Sequence, residues 1–257
     1  MLEELYAGSV ADAARRSETV SLNQVERAAL AAAAPLDALA FLAPAEHIKV
    51  LAEIKRAGPS KGQMADIVDP SALATTYQAN GASAISVLTE ERRFKGKLED
   101  LVAVRKTVAV PLLRKDFIAN EYQILEARAA GADIILLIVA GLAQKDIERL
   151  KKFAEELGMT AFIETHSGDE VSRALDVDAK LLGINARDLS TFETDLNLFA
   201  ELAPKIPQGV IKVAESAVRT VADVANYRRG GADVVLVGEA LVTNDAAELL
   251  KAFIAVV

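Results

Sequence analysis

The chain has 257 residues, of which 52% are hydrophobic and 26% charged, so it is long enough to bury a sizeable core. It has no cysteine and only two histidines, His47 and His166, which argues against disulfides, thiolate nucleophiles and histidine-rich metal sites; we expect no metal. The formal net charge of -8 argues against non-specific binding of nucleic acid, because a polyanion needs a cationic surface.

The longest apolar run covers residues 132–143, with Asp133 inside it, and is only about half as long as the ~20 residues of a membrane span. The opening MLEELYAGSV carries acidic residues and lacks the basic start of an export signal. We therefore expect a soluble, cytoplasmic protein without a membrane partner, and nothing in the sequence points to an obligate protein partner.

A stretch rich in alanine and leucine precedes the first predicted strand. Ser21 and Gln24 have the spacing of a capping box, so we predict two or three helices within residues 1–46. Two roles stay open for these helices, which either plug or flank the remainder of the fold or help to cover a substrate.

Three segments of the chain repeat one another: YQANGASAISVL (77–88), EARAAGADIILLI (126–138) and YRRGGADVVLVG (227–238). Each reads as a helix end, a glycine, an alanine and a buried strand. The glycines, Gly81, Gly131 and Gly231, are fifty and one hundred residues apart. With about 25 residues for one strand and helix, these offsets are two and four units of an eightfold barrel.

The remaining apolar runs complete a set of eight strands that are apolar on both faces, as in a parallel sheet covered by helices. Their predicted bounds are Ile48–Glu53, Ser83–Leu88, Val110–Leu113, Asp133–Ile138, Thr160–Glu164, Leu181–Asn185, Val210–Ala214 and Val234–Val237. Helical patterns lie between them, such as AQKDIERLKKFAEELG (143–158), for which Gly158 is the predicted stop. We predict one (β/α)8 TIM-barrel domain over residues 1–257, with an N-terminal helical extension (1–46) and eight βα units (47–257).

In this fold the active site lies at the C-terminal ends of the strands, and polar residues stand at most of these ends. They are Glu53, Lys55, Arg114, Lys115, Asp116, Glu164, Asn185, Arg187, Glu215, Ser216, Gly238 and Glu239. Because side chains alternate along a strand, Glu53 and Lys55 share a face and are expected to point into the barrel mouth together. A salt-bridge network that closes the barrel is the alternative for any single residue, but charges on six strand ends favour a site.

Lysines and glutamates crowded into one mouth shift each other's pKa values in opposite directions, so general acid and base roles can coexist there. Either lysine is also a candidate Schiff-base nucleophile.

Two small-residue turns, AESAV (214–218) and VGEAL (237–241), follow the last two strands and suit a phosphate group. Ser60 and Lys61 in the segment GPSKG are expected to face the same anion from the other side. The alternative for Gly238 is that it only allows a tight turn.

Six motifs resemble, in order and spacing, those of the indole-3-glycerol-phosphate synthase family, the barrel enzymes of tryptophan biosynthesis. They are AEIKRAGPSKG, SVLTEERRFKG, PLLRKDFI, FIETHS, GINARDLSTF and VAESAV, and the similarity extends over residues 48–242. The resemblance implies a lyase that converts 1-(2-carboxyphenylamino)-1-deoxyribulose 5-phosphate into indole-3-glycerol phosphate with loss of carbon dioxide and water. It implies no metal and no organic cofactor.

By this resemblance Lys115 is the acid of ring closure, and Lys55 lies near the substrate carboxylate and serves as acid in the later dehydration. Glu53 is the partner of Lys55 and a candidate base, and Glu164 flanks Lys115. The residues that match those holding the carboxylate and the sugar hydroxyls are Asn185, which we count with the catalytic group, Arg187 and Glu215.

The resemblance also implies binding surfaces for the two ends of the substrate. The phosphate is expected on Ser60, Ser216 and Gly238. An apolar slot for the carboxyphenyl ring is expected from Phe94, Phe117, Leu136, Ile138 and Phe192, for each of which core packing is the simpler explanation.

The chain departs from the family motifs at three positions, Gly58, Ala186 and Ala217. Ala217 replaces a glycine, and alanine is less tolerant of positive φ, so the departure bears on phosphate geometry. Two other functions stay open: another phosphosugar barrel enzyme, either an isomerase or a Schiff-base aldolase, and a non-catalytic phosphate-binding barrel.

Overall fold

In the computed structural model, which describes residues 1–58, 62–188 and 193–257, eight parallel strands close into a barrel. Each strand pairs with its neighbours in the chain, and the first also pairs with the eighth, which closes the ring. The strands, β1 to β8, are Lys49–Ile54, Ala84–Leu88, Leu112–Lys115, Ile134–Ile138, Thr160–Thr165, Leu181–Asn185, Ile211–Glu215 and Val234–Val237. The predicted (β/α)8 architecture is confirmed.

The strand bounds lie within two residues of the predicted ones, and β6 and β8 match them. The largest correction is at β3, predicted over 110–113, because the parallel ladder continues through Arg114 and Lys115 alongside β2. A polar residue ends an apolar run in the sequence, but it does not end the backbone hydrogen bonding between two neighbouring strands. For the same reason β1, β5 and β7 each end one residue later than predicted.

Three helices precede the barrel, as predicted: α1 (Leu2–Thr19), α2 (Leu22–Ala31) and α3 (Ala38–Leu42). The capping box is confirmed, since the Ser21 N–H donates to Gln24 Oε1 at 2.8 Å. None of the helices in the described ranges has the length and apolar character needed to cross a membrane.

The other helices alternate with the strands around the outside of the barrel. They are α4 (Pro70–Ala79), α5 (Leu98–Arg105), α6 (Glu121–Ala129), α7 (Gln144–Glu156), α8 (Gly168–Asp176), α9 (Leu198–Leu202), α10 (Val221–Arg229), α11 (Glu239–Thr243) and α12 (Ala246–Ile254). A short hairpin, Ala57–Gly58 with Gly62–Gln63, follows β1.

The repeated glycines make the turns that connect α4, α6 and α10 to the strands after them. Gly81, Gly131 and Gly231 have φ values of 95°, 88° and 94°, a left-handed conformation that glycine adopts without strain. The alanine after each of them donates its N–H to a carbonyl near the end of the preceding helix. Gly158, at φ 78°, lies two residues after α7 and ends it as predicted.

Aspartates at the start of β4 and β8 join neighbouring strands at the opposite end of the barrel from the predicted site. Asp133 accepts hydrogen bonds from the N–H groups of Leu112 and Leu36, both at 2.7 Å. Asp233 accepts one from the Lys212 N–H at 2.9 Å. The bond to Leu36 also fixes the N-terminal segment to the barrel.

The barrel interior is packed with apolar side chains below its C-terminal mouth. These inward residues include Leu51, Leu113, Ile134, Phe162, Leu181, Val213 and Leu236. A second, larger core lies between the strands and the surrounding helices. Because successive side chains alternate between these two cores, the polar residues that follow the interior set along each strand face the mouth.

Two of the charged residues at the end of β3 attach helix α1 to the barrel. Arg114, which is 1% exposed, points away from the mouth and forms ion pairs with Asp116 at 3.0 Å and Glu126 at 3.3 Å. Asp116 accepts a hydrogen bond from Ser9 Oγ at 2.6 Å, and Glu126 accepts one from Arg16 at 2.6 Å. For Arg114, the alternative to a role in the site, a structural salt-bridge network, is therefore the correct explanation.

Candidate active site

A cavity of about 420 Å³ opens at the C-terminal end of the barrel. Thirteen of the predicted site residues line it: Glu53, Lys55, Phe94, Lys115, Phe117, Leu136, Ile138, Glu164, Asn185, Arg187, Glu215, Ser216 and Gly238. The other two, Ser60 and Phe192, lie outside the described residues, as does Lys61, which was expected to face the phosphate beside Ser60. Among the described residues, the structure thus brings together all those to which a catalytic or substrate-binding role was assigned, whereas the strand-end residue Arg114 points away from the cavity.

The alternation of side chains along each strand explains why these residues meet in one cavity. Glu53 and Lys55 lie two residues apart at the end of β1, and both side chains reach the cavity. Lys115 follows the interior residue Leu113 by two positions, and Glu164 follows Phe162 in the same way. A period of two therefore places one polar layer directly above the apolar interior.

Lys115 stands at the centre of this layer. Its Nζ lies 2.8 Å from Glu215 Oε2, 3.6 Å from Glu164 Oε2 and 3.8 Å from Glu53 Oε2. Burial disfavours the ammonium, but the three carboxylates outweigh burial and raise the pKa of Lys115 above its usual value. Lys115 is therefore a protonated donor at neutral pH.

Lys55 has the opposite electrostatic environment. Its Nζ lies 3.8 Å from Glu53 Oε1 and 5.5 Å from the centre of the Phe94 ring. Burial lowers the pKa of Lys55, and although Glu53 opposes this shift, the positive charges of Lys115 and Arg187 add to it. The cavity thus holds one lysine that keeps its proton and one that releases it more readily.

The two glutamates nearest Lys115 are also shifted in opposite directions. Burial raises the pKa of Glu215, and the negative charge of Glu164 raises it further. Glu164 is buried as well, but Lys115, His166 and Asn185, whose Nδ2 donates to Glu164 Oε1 at 3.0 Å, hold its pKa low. Neighbouring carboxyls whose pKa values are pushed apart suit separate acid and base roles.

A strained turn follows β7 on the side where the phosphate is expected. Ser216 and Ala217 have φ values of 70° and 58°, the left-handed region that non-glycine residues seldom adopt. The turn is fixed by Ser216 Oγ, which donates to Asn185 Oδ1 at 2.7 Å, and by the Tyr227 hydroxyl, which donates to the Ser216 carbonyl at 3.1 Å. The departure at Ala217 therefore falls on a backbone conformation that favours glycine.

Gly238 lies at the start of α11 with φ at -112°, so it does not use a left-handed conformation. A Cβ on Gly238 would lie 2.6 Å from Glu53 Oε1. The reason for glycine here is the close approach of Glu53, which differs from the tight-turn explanation offered by the sequence.

Apolar side chains form one wall of the cavity. The rings of Phe94 and Phe117 lie 6.2 Å apart, and Tyr6 from α1 packs edge-on against Phe117 at 5.5 Å. Leu5 of α1 reaches the cavity itself. The first helix therefore covers part of the site, which was one of the two roles left open by the sequence. Other large apolar residues that line the cavity and were not predicted are Leu88, Leu196, Val218 and Leu236.

His166 is a further residue that sequence reasoning did not single out for the site. Its Nε2 lies 3.3 Å from Glu164 Oε1, although the ring does not line the cavity. The available signal was its position in the motif FIETHS, two residues after Glu164 and hence on the same face. Among the described residues no group of three or more histidine, aspartate or glutamate side chains is placed to hold a metal ion.

Similar proteins agree with this picture. The sequence profile of the family described as Indole-3-glycerol phosphate synthase matches residues 2–253. An indole-3-glycerol phosphate synthase of Leifsonia xyli subsp. xyli (strain CTCB07) is 59% identical over 253 residues, covering 98% of this chain and 97% of the relative. Another, from Mycolicibacterium gilvum (strain PYR-GCK), is 54% identical over 244 residues, covering 95% and 89%.

A solved structure, the N-acetylmannosamine-6-phosphate 2-epimerase from Clostridium perfringens, superposes with a TM-score of 0.62 at 13% identity, covering 82% of this chain and 94% of its own. At that identity the likeness supports the fold alone. The profile match and the high identity over nearly the whole length show that the chain belongs to the indole-3-glycerol phosphate synthase family.

Proposed function

We propose that this cavity closes the indole ring of 1-(2-carboxyphenylamino)-1-deoxyribulose 5-phosphate, with decarboxylation and dehydration, in tryptophan biosynthesis. The substrate is a phosphorylated small molecule, and the enzyme is a carbon-carbon lyase. The observation that carries the assignment of roles is the Lys115 ammonium, held among three carboxylates beside an apolar wall.

Lys115 acts as the acid of ring closure. The ring carbon that bears the carboxylate attacks the ribulose carbonyl carbon, and the carbonyl oxygen takes a proton from the Lys115 ammonium to become a hydroxyl. The carbon-carboxylate bond then breaks, carbon dioxide leaves, and its electron pair restores the aromatic ring. A positioned ammonium stabilises the developing alkoxide, which is the costly charge in this step.

Lys55 acts in the dehydration that follows. The hydroxyl formed by ring closure leaves as water with a proton from the Lys55 ammonium, while a base removes a proton from the adjacent ribulose carbon. The lowered pKa of Lys55 makes its ammonium the stronger acid of the two lysines. We assign the role of this base to Glu53, whose Oε1 lies 3.8 Å from Lys55 Nζ, in support of the proposal.

Binding follows the charges and the apolar wall. Lys55 and Arg187 attract the substrate carboxylate, and Asn185 and Glu215 hold the sugar hydroxyls. Phe94 and the residues around it hold the carboxyphenyl ring close to the carbonyl, a proximity effect worth several kcal/mol. Backbone N–H groups near Ser216 and Gly238 bind the phosphate, with Ser60 from the first motif as the remaining predicted contact.

A fluorescence assay tests the activity. The chain has no tryptophan, so indole emission from the product rises over a low protein background. We expect emission to increase when substrate and enzyme are mixed, in proportion to the carbon dioxide released. Absence of both signals, when heat-denatured enzyme serves as the blank, would contradict the proposed reaction.

Borohydride reduction separates this reaction from a Schiff-base aldolase. The carboxylates that keep Lys115 protonated oppose imine formation there. We expect no covalent adduct at Lys115 or Lys55 after reduction in the presence of the substrate. A stoichiometric adduct would support the aldolase, and binding without turnover would support a non-catalytic barrel.

The remaining expectations from the sequence stay predictions: a cytoplasmic location, no binding of nucleic acid, no obligate protein partner and no metal or organic cofactor. Cell fractionation tests the location, a gel-shift assay tests nucleic-acid binding, and turnover after dialysis against a chelator tests the absence of a metal.

A further inference from the structure

The ring of His166 is held between two carboxylates at the end of β5. Nε2 lies 3.3 Å from Glu164 Oε1, and Nδ1 lies 3.3 Å from Glu170 Oε2 in the first turn of α8. Glu170 Oε2 also accepts a hydrogen bond from the His166 backbone N–H at 2.9 Å. The ring therefore has one carboxylate on each side: Nδ1 is hydrogen-bonded to Glu170, and Nε2 makes a charge contact with Glu164. Helix α8, which carries Glu170, begins two residues after His166.

The two oxygens of Glu164 face different partners. Oε1 contacts His166 and accepts a hydrogen bond from Asn185 Nδ2, whereas Oε2 lies 3.6 Å from Lys115 Nζ. Glu164 lines the cavity and His166 does not. His166 thus contacts the proposed catalytic layer without having access to a substrate there.

We propose that His166 is a positioning residue for Glu164, which it holds ionised with Oε2 directed at Lys115, so that Glu215 is the carboxyl that exchanges a proton with Lys115. The inference rests on the proposed role of Lys115 as acid. After Lys115 gives its proton to the substrate, Glu164 loses its nearest positive charge on the cavity side. A cationic His166 on the other side keeps Glu164 as a carboxylate through this step.

The electrostatics of the cluster agree with the geometry. Burial lowers the pKa of His166, but the two carboxylates that contact it outweigh burial and raise the pKa to about 10. His166 in turn helps to hold the pKa of Glu164 down, while that of Glu215 is raised. The other charged or titratable groups around the pair are Lys115 on β3, Glu170 on α8, Glu215 on β7 and Tyr6 on α1.

The test is the pH dependence of kcat/KM for His166→Gln, which removes the positive charge and keeps a hydrogen-bond donor near Glu164. We expect the acid limb of the profile to move to higher pH by about one unit or more, so that the loss of kcat/KM relative to wild type is larger on the acid side of the profile than at pH 8.5. KM at pH 8.5 should stay within about threefold of wild type, because His166 does not touch the cavity. The substrate phosphate titrates equally with both enzymes, so a difference between the two pH profiles comes from titratable groups of the protein.

Glu170→Gln is the matched second variant, since it removes the other carboxylate on His166 and leaves the contact with Glu164. We expect its acid limb to move in the same direction by a smaller amount. A direct readout that needs no turnover is the titration of the Glu164 side-chain carboxyl by carbon NMR, assigned with Glu164→Gln. Its midpoint should rise in both variants, and Glu170→Gln suffices for this measurement if His166→Gln does not fold.

Acid limbs and Glu164 midpoints equal to those of wild type would overturn the inference, as would a loss of melting temperature with an unchanged profile. These outcomes can be distinguished from the case in which the proposed function itself is wrong. In that case wild-type enzyme itself would show no turnover, whereas the Glu164 midpoint would still respond to His166→Gln.

Discussion

At the scale of single residues, the cavity gives two chemically identical lysine side chains opposite properties. Three carboxylates within 4 Å raise the pKa of Lys115, while burial and two neighbouring cations lower that of Lys55. One fold can therefore place a persistent ammonium and a readily dissociating one in the same cavity.

His166 gives a pH-dependent contribution to stability with a definite sign. Its pKa in the folded chain, about 10, lies above the unfolded value, so its contribution is fully present below about pH 6.5 and is lost as pH rises through about 10. We predict that the difference in unfolding free energy between wild type and His166→Gln is largest near pH 6 and shrinks by pH 10. Urea denaturation at pH 6, 8 and 10 measures it, and a constant difference would refute the prediction.

At the scale of elements, the turn after β7 holds two consecutive left-handed residues that are not glycine. Ala217 costs on the order of 1 kcal/mol in this conformation, because its Cβ crowds the backbone carbonyl. We predict that Ala217→Gly raises the free energy of unfolding by up to about 1 kcal/mol, part of the gain being offset by the greater entropy of unfolded glycine. Urea denaturation at constant pH measures the change.

The matched control is Ala222→Gly on the exposed face of α10, where the backbone is helical. There glycine should lower stability by about 0.5–1 kcal/mol. Equal losses for the two substitutions would show that the left-handed turn carries no strain.

Individual strands and helices also show which features a local sequence pattern predicts and which features it misses. The alternation of side chains placed Glu53 and Lys55 together, and strand-end polarity placed Glu164 and Asn185 at the mouth, because both rules act within one strand. The end of β3 was predicted too early, since ladder hydrogen bonds do not depend on side-chain polarity. His166 was missed because its second carboxylate belongs to α8, a contact that no single-strand pattern contains.

At the scale of the whole molecule, the repeated helix-glycine-alanine-strand segments predicted the barrel because each repeat is one structural unit. The same repeats do not show how residues before the barrel are placed. Leu5 of α1 reaches the cavity, and Ser9 of the same helix bonds to Asp116, which lies 107 residues further along the chain. A local sequence pattern does not reveal such contacts, because they form only when the folded barrel brings distant segments together.

We propose that residues 1–257 form one domain, with the first 46 residues as an extension of the barrel. The ion pairs from Arg16 to Glu126 and the bond from Leu36 to Asp133 join the two parts, so they should unfold together. A tryptophan introduced as Phe41→Trp, at a half-exposed position of α3, reports the extension in a chain that has no other tryptophan. We predict that its emission and the far-ultraviolet circular dichroism change at one urea midpoint, and separate midpoints would show two domains.

The central claim is that Lys115 donates the proton that closes the ring, and turnover of Lys115→Ala, followed by indole emission, tests it most directly. The control is Lys151→Ala, which removes a lysine paired with Glu155 on α7, outside the cavity. We predict that Lys115→Ala lowers kcat/KM by about 100-fold or more while its melting temperature falls by less than about 10 °C, and that Lys151→Ala keeps wild-type turnover. A folded Lys115→Ala enzyme with turnover within tenfold of wild type would contradict the account.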